Sequence, residues 1–142
     1  MTDELSVLLA EARIAFERRG DRTRAAELVE RALAQLDGTG TSAELCERFA
    51  ARLVMLDDFA RAEPFMRRAI ELESAREPIS PIVLGTRHMF YAKHLHAARR
   101  FREAAHHASE GVAWYAKGCA PGDRELAFVR ADAARIVASY WP

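Results

Sequence analysis

The chain has 142 residues, with 21 basic and 21 acidic side chains and a net charge of zero. This balance lacks the basic surplus expected of a nucleic-acid-binding protein, and no run of about 18 apolar residues predicts a membrane span. Alanine occurs 28 times and glycine only seven times, a composition that favours helices throughout the chain.

The charge is distributed unevenly along the chain. Residues 1–80 carry 12 basic and 16 acidic side chains, whereas residues 81–142 carry nine and five, so the two parts have net charges of −4 and +4. Two cysteines, Cys46 and Cys119, are too few for a disulfide framework and favour a reducing, cytoplasmic location. The many arginines and alanines are typical of a bacterial protein from a GC-rich genome.

Apolar periodicity predicts seven helices and no strand. Asp21, Ser80 and Asp123 are predicted N-caps, and Thr41 with Glu44 forms a predicted capping box. Gly38-Thr39-Gly40 is predicted to be a loop. Helices are predicted over residues 3–19 and 22–36, from the Thr41 cap to Leu56, from the end of the Asp57-Asp58 turn to Ser74, and over residues 81–98, 101–116 and 123–140.

One sequence phrase occurs three times, over residues 20–33, 57–70 and 99–112. In each copy a polar turn leads to an alanine, then to a second residue four positions on and a small residue three positions later. The first alanines are separated by 37 and 42 residues. A repeat of this kind predicts a helical array, and such arrays mostly bind other chains. The three sets are Ala25, Val29 and Ala32; Ala62, Met66 and Ala69; and Ala104, Ala108 and Gly111.

The chain resembles the tetratricopeptide repeat family, which pairs a helix bearing a Trp…Leu-Gly…Tyr pattern with one bearing Ala…Phe…Ala. In the third repeat these first-helix slots hold His88, Tyr91-Ala92 and Leu95. Arg13 departs from the pattern, because the family has a small residue there. The corresponding residues are Cys46, Phe49-Ala50 and Leu53 in the second repeat, and Leu9, Ala12-Arg13 and Phe16 in the first.

The 42-residue step resembles the subgroup found in kinesin light chains and their bacterial relatives. Two stretches of the sequence resemble this subgroup: the segment from Ala62 to Ile70 and the linker Pro78-Ile79-Ser80-Pro81. The resemblance implies a single all-α domain over residues 1–142, a right-handed superhelical array of three hairpins followed by a capping helix. The repeats would cover residues 6–38, 43–75 and 85–117, and the capping helix residues 123–140.

In this family the first helix of each pair lines a concave groove that holds a peptide or a partner helix. The resemblance therefore implies a protein-binding adaptor, scaffold or chaperone-like subunit with an apolar groove. The lining residues would be Val7, Ala10, Ile14, Glu44, Glu47, Ala51, Val54, Met55, Thr86, Met89, Lys93 and His96. An alternative is that some of these residues pack against helix 7 or against a second copy in a homodimer.

All five histidines lie in the third repeat: His88, His94, His96, His106 and His107. Their spacing includes no His-x-x-x-His pair that could share a metal on one helix, so no metal site is predicted. A contact between two histidines across helices 5 and 6 remains open, with His88 in a core slot. A third alternative is a regulatory module in which this histidine and arginine cluster binds a small ligand or a metal.

No motif for catalysis or cofactor binding is present in the sequence. It contains no glycine-rich phosphate loop and no nucleophile elbow. Cys46 falls on a predicted core face, where a cysteine behaves as a small buried hydrophobe. We therefore expect a protein that is not an enzyme and carries no cofactor.

Overall fold

A computed structural model describes residues 2–36 and 41–140 of the chain. Within those two stretches there are seven α-helices and no strand, which confirms the predicted all-α class. The predicted loop Gly38-Thr39-Gly40 lies outside the described residues. The helices are α1 (Thr2–Glu17), α2 (Arg22–Ala34), α3 (Ala43–Met55), α4 (Phe59–Ser74), α5 (Pro81–Ala97), α6 (Phe101–Lys117) and α7 (Arg124–Tyr140).

The helix caps follow the sequence with one correction. The Asp21 side chain accepts a hydrogen bond from the backbone N–H of Arg24 at 2.9 Å, and Asp123 accepts one from the N–H of Leu126 at 3.2 Å. The cap predicted at Thr41 was wrong by one residue: α3 begins at Ala43, so Ser42 is the N-cap and accepts from the N–H of Leu45 at 3.1 Å. Ser80 is the N-cap of α5, but its side chain makes no capping bond.

The three turns that join α1 to α2, α3 to α4 and α5 to α6 share one backbone device. Each contains one residue in the left-handed region: Gly20 (φ 62°), Asp57 (φ 59°) and Arg99 (φ 63°). These residues stand five positions before Ala25, Ala62 and Ala104, so they recur with the same steps of 37 and 42. A left-handed residue just after a helix lets the chain reverse direction while the last carbonyls stay hydrogen-bonded.

The hydrogen bonds of these turns also correspond. Asp58 donates its backbone N–H to the carbonyl of Leu53 and Arg100 donates to that of Leu95, both at 2.9 Å. In the first turn the backbone N–H of Asp21 donates to the carbonyl of Ala15, six residues earlier, whereas the acceptors in the other two turns lie five residues earlier. The three turns therefore have similar local geometry, except that the hydrogen bond of the first turn spans one residue more.

The repeat slots are buried as predicted. Ala25, Ala62 and Ala104 each have 0% exposure, and the residues at the next two slots of each repeat are buried as well. Arg13, the departure from the pattern, is exposed and forms an ion pair with Glu17 at 3.0 Å. Small residues at buried slots let neighbouring helices approach closely, which explains why alanine recurs there.

The helices form two compact units, Met1–Phe65 (unit 1) and Met66–Pro142 (unit 2). In unit 1, α1 packs against α2 and α3, and the Phe49 ring stacks on that of Phe65 with centroids 5.1 Å apart. In unit 2, α6 packs against both α5 and α7, and α7 buries Leu126, Ala133 and Ile136. Each unit thus has a core of its own.

Candidate functional site

An apolar stripe lies on the outer side of α1, opposite its buried face. Val7, Ala10 and Ile14 follow one another at helical spacing, and Val7 and Ile14 are 53% and 40% exposed. We call these three residues the N-terminal stripe. The core of unit 1 is supplied by other apolar side chains of α1, namely Leu8, Leu9, Ala12 and Ala15. The stripe is therefore apolar surface that the fold of the chain does not use.

Acidic side chains lie beside the N-terminal stripe. Glu4 and Glu11 are exposed, and they stand three positions before Val7 and four positions after it, so they share its side of the helix. Glu4 accepts a hydrogen bond from the amide of Gln35 at 3.3 Å. An apolar strip edged by carboxylates suits a partner that is apolar in the middle and basic at its sides.

The predicted lining residues of α3 belong to the same unit as the stripe. Arg48 on α3 donates from Nη1 to the Ser6 hydroxyl of α1 at 3.0 Å. Ser6 is one turn before Ala10 on α1, so this contact joins the two helices on the side that carries the predicted residues. Of the α3 residues predicted to line the groove, Glu44 is exposed, and Glu47, Ala51, Val54 and Met55 are half-buried.

The four predicted lining residues of α5 are placed differently. Thr86 is exposed and donates its hydroxyl to the carbonyl of Ile82 at 2.8 Å. Met89 is only 5% exposed, and its Cγ lies 2.8 Å from where a Cβ on Gly111 would stand. Met89 is thus a core residue between α5 and α6.

Lys93 and His96 contact α7. The Lys93 ammonium lies 3.5 Å from a carboxylate oxygen of Asp132, and Nε2 of His96 lies 2.8 Å from the Ser139 hydroxyl. For these two residues the structure supports the alternative stated above, that predicted lining residues pack against helix 7. In unit 2, therefore, α7 covers part of the surface that the resemblance assigned to a ligand.

Two histidines that are far apart in the sequence meet in unit 2. Nδ1 of His88 on α5 lies 3.0 Å from Nδ1 of His107 on α6, and the two rings stack with centroids 5.2 Å apart. One of the two nitrogens must carry the proton and the other must accept it. The contact across helices 5 and 6 that the sequence left open is present, and His88 is buried.

The surroundings of this pair favour neutral rings. Burial, together with the neighbouring His88 and His106, lowers the pKa of His107 to about 4, and burial likewise lowers the pKa of His88. The Tyr91 ring lies 4.5 Å from that of His107, and its hydroxyl accepts a hydrogen bond from Nε of Arg67. Over the part of the chain that the structure describes, no group of three or more His, Cys, Asp or Glu side chains could hold a metal ion.

The basic turn near this cluster is also internally paired. Arg100 donates from Nε and Nη2 to the two carboxylate oxygens of Glu103, at 2.9 and 2.6 Å. The Arg99 guanidinium lies 5.8 Å from the centre of the Phe101 ring. These contacts give the turn a structural role at the start of α6.

Sequence reasoning missed the buried ion pair of unit 2. Glu73 on α4 is completely buried, and Nε and Nη2 of Arg87 on α5 donate to its Oε1 at 3.3 and 3.1 Å. Among the residues that the structure describes, none donates a hydrogen bond to the other carboxylate oxygen of Glu73. The pair spans the α4–α5 linker, and no local spacing rule connects two charges 14 residues apart.

No disulfide joins the two cysteines: Cys46 is buried and Cys119 is half-buried. The core position predicted for Cys46 is confirmed. Among the helices described, none is long and apolar enough to cross a membrane.

No protein-family model matches the chain, and no curated protein matches it significantly.

Proposed function

We propose that this protein is a protein–protein interaction module made of three tetratricopeptide-like hairpins and a capping helix, in the right-handed array that the resemblance implies. The support for the hairpins is local. Three turns with left-handed residues recur at steps of 37 and 42, and each is followed by a fully buried alanine. A tetratricopeptide-like repeat would account for the small residues that stand at the same register in all three copies.

The binding surface we propose is the N-terminal stripe together with the predicted α3 residues of unit 1. One observation carries this proposal: Val7 and Ile14 are large apolar side chains left 53% and 40% exposed on a helix that already has a buried face. Exposed apolar surface edged by polar groups is typical of interaction sites. With Glu4 and Glu11 beside it, the surface suits an amphipathic helix or peptide with basic flanks.

A direct test compares partner capture by the intact protein and by a variant with Val7→Asp and Ile14→Asp. We expect proteins that bind the tagged full-length chain in its native cell extract to be lost from the variant by about tenfold or more, because charges would replace the apolar contacts. Ala60→Asp is a matched control, since Ala60 is exposed on α4, also in unit 1.

The far-ultraviolet circular dichroism of all three proteins should agree, because the three substituted positions are exposed. If the double variant captured the same proteins in the same amounts as the intact chain, the proposed surface would be wrong. The small-ligand or metal-sensing alternative has weaker support, because His88 and His107 bond to each other and Arg100 bonds to Glu103.

A further inference from the structure

All the histidines of the chain lie in unit 2, and two of them meet there in a largely buried contact. Residues 1–65 contain no histidine. His88 is only 8% exposed, and its Nδ1 faces Nδ1 of His107 at 3.0 Å. A first proton added to the pair would put a positive charge in this buried place. A second would leave two N–H groups and two positive charges facing each other, because a protonated imidazole has no acceptor nitrogen.

The helices hold the two rings in place. His88 lies three residues after Gly85 and His107 lies four residues before Gly111, so the pair is one helical turn from a close backbone crossing. A Cβ on Gly85 would lie only 2.7 Å from the carbonyl oxygen of Gly111. The centre of the His107 ring is also 4.5 Å from that of Tyr91. The rings can therefore part only if packing between α5 and α6 is broken.

Groups on three helices act on the charge of the pair. Burial is the main cause that lowers the pKa of both rings, to about 4 for His107. Two nearby carboxylates favour a positive charge on the rings, but burial outweighs them. Once the helices part, water solvates the rings and they take up protons at their ordinary pKa of 6.5. The charged and titratable groups that face the pair are Arg67 on α4, Tyr91 on α5, and Glu103, His106 and Glu110 on α6.

We infer that the His88–His107 pair is an acid-sensitive switch that lets the α5–α6 hairpin open while unit 1 stays folded. Within the described part of the chain, the buried polar side chains are Glu73, Arg87 and His88, and all three belong to unit 2. Aspartate and glutamate titrate mostly below about pH 5, so the side chains of unit 1 keep their charges between pH 7 and pH 5. The inference goes beyond the proposed function, because it concerns the response of unit 2 and makes no use of the N-terminal stripe.

Hydrogen–deuterium exchange of the full chain, followed by mass spectrometry at pH 7 and at pH 5, measures the opening of each helix. Protection factors are compared, so that the intrinsic pH dependence of exchange is removed. We expect protection of α5 and α6 to fall by about 20-fold or more between the two pH values, because only the open hairpin binds the extra proton. Protection of α1, α2 and α3 should fall by less than about threefold.

His107→Gln removes the switch and keeps a polar side chain next to His88. The fall in α5 and α6 protection should then be at least about fivefold smaller than in the intact chain. If this substitution already lowers protection at pH 7, the ratio between the two pH values remains the measure. His96→Gln is the matched control on α5, because His96 contacts Ser139 and Phe101 instead of the pair, and it should show the full fall.

Three results would overturn the inference. Unchanged protection of α5 and α6 at pH 5 would show that the pair does not respond to acid. An equal fall in both units would show that acid acts on the whole chain. An undiminished fall in His107→Gln would assign the response to another group, such as the half-buried His94, whose pKa is also lowered by burial.

Discussion

The backbones of α5 and α6 approach each other closely at Gly85 and Gly111. A Cβ atom on Gly85 would lie 2.7 Å from the carbonyl oxygen of Gly111, and a Cβ on Gly111 would lie 3.1 Å from the carbonyl oxygen of Gly85. Gly111 is the small residue at the third slot of the third repeat. The sequence pattern thus pointed to one member of this pair, and the structure adds the other.

The two glycines should respond differently to alanine. The three atoms nearest to a Cβ on Gly85 all belong to the backbone, including the nitrogen of Tyr115 at 2.7 Å, so a side-chain movement cannot relieve the clash. We expect Gly85→Ala to lower the free energy of unfolding by about 1–3 kcal/mol through overpacking. For Gly111→Ala the nearest atoms belong to the flexible Met89 side chain, and the helix-propensity gain of about 1 kcal/mol offsets much of the cost.

Urea denaturation of Gly85→Ala and Gly111→Ala measures this difference in the free energy of unfolding. Gly122→Ala serves as the reference substitution, because no atom of the described residues lies within 4 Å of a Cβ at that position. Equal stability of the Gly85 and Gly111 variants would contradict the close backbone crossing.

The three left-handed turn residues allow a second prediction. Gly20 adopts φ 62° without steric strain, whereas Arg99 adopts φ 63° with a Cβ present. We expect Gly20→Ala to destabilise the protein by about 1 kcal/mol and Arg99→Gly to stabilise it by a similar amount or less. The gain at Arg99 is reduced by loss of its contact with the Phe101 ring. Thermal unfolding monitored by circular dichroism measures both.

Asp57→Gly provides the internal comparison for this turn series. Aspartate tolerates the left-handed region better than arginine, and Asp57 also pairs with Arg22 at 3.3 Å. Its replacement should therefore stabilise the chain less than Arg99→Gly does. A higher melting temperature for Gly20→Ala than for the intact protein would show that the three turns are not equivalent.

The sequence predicted what depends on local pattern. The spacing of Ala25, Ala62 and Ala104 indicated three related hairpins, and all three alanines are fully buried after similar turns. These features follow from helical periodicity and turn chemistry, which act over a few residues. The small residues themselves were therefore a reliable guide to the core.

The lining residues of the groove are harder to predict, because their exposure depends on neighbours that are distant in the sequence. Met89 has the register of a lining residue, but the absence of a side chain at Gly111 gives it room in the core. Lys93 and His96 meet side chains of α7 about 40 residues later. Pairings across helices, such as His88 with His107, have no signature in the spacing of either helix.

Breaking the buried pair of Glu73 and Arg87 should strongly destabilise unit 2. Arg87→Met removes the guanidinium and leaves a carboxylate with 0% exposure, so we expect a loss of about 3–5 kcal/mol in the free energy of unfolding. Adding Glu73→Leu to this variant should recover most of the loss, because the uncompensated charge is then absent. Chemical denaturation of the single and double variants measures both effects.

Arg76→Met is the matched control for this pair. Arg76 also approaches Oε1 of Glu73, at 3.5 Å, but its side chain is 55% exposed. A pair with one exposed partner contributes less, so its loss should cost about 1 kcal/mol or less. The role assigned to Arg87 would be contradicted if Arg87→Met were no more destabilising than this control.

The histidine pair predicts a stability that depends on pH. His107 has a pKa of about 4 in the folded chain and an ordinary value of 6.5, so between these values the unfolded chain binds a proton that the folded chain does not. The free energy of unfolding should therefore fall as pH decreases from about 6.5 to about 4, by at most about 1.4 kcal/mol per pH unit for this group. The groups that act on His107 are His88 and Tyr91 on α5, Arg67 on α4, and His106 and Glu103 on α6.

His107→Gln removes this titration and keeps a polar side chain next to His88, so its stability should decline less steeply over that range. His96→Gln is the control, because His96 contacts Ser139 and Phe101 and its replacement leaves the His88–His107 contact in place. Urea midpoints at a series of pH values separate the two, and the difference between the intact chain and His107→Gln cancels the titration of carboxylates elsewhere. Parallel curves for the intact chain and the His107 variant would show that His107 is as easily protonated in the folded chain as in the unfolded one. The contact with His88 would then not hold its ring neutral.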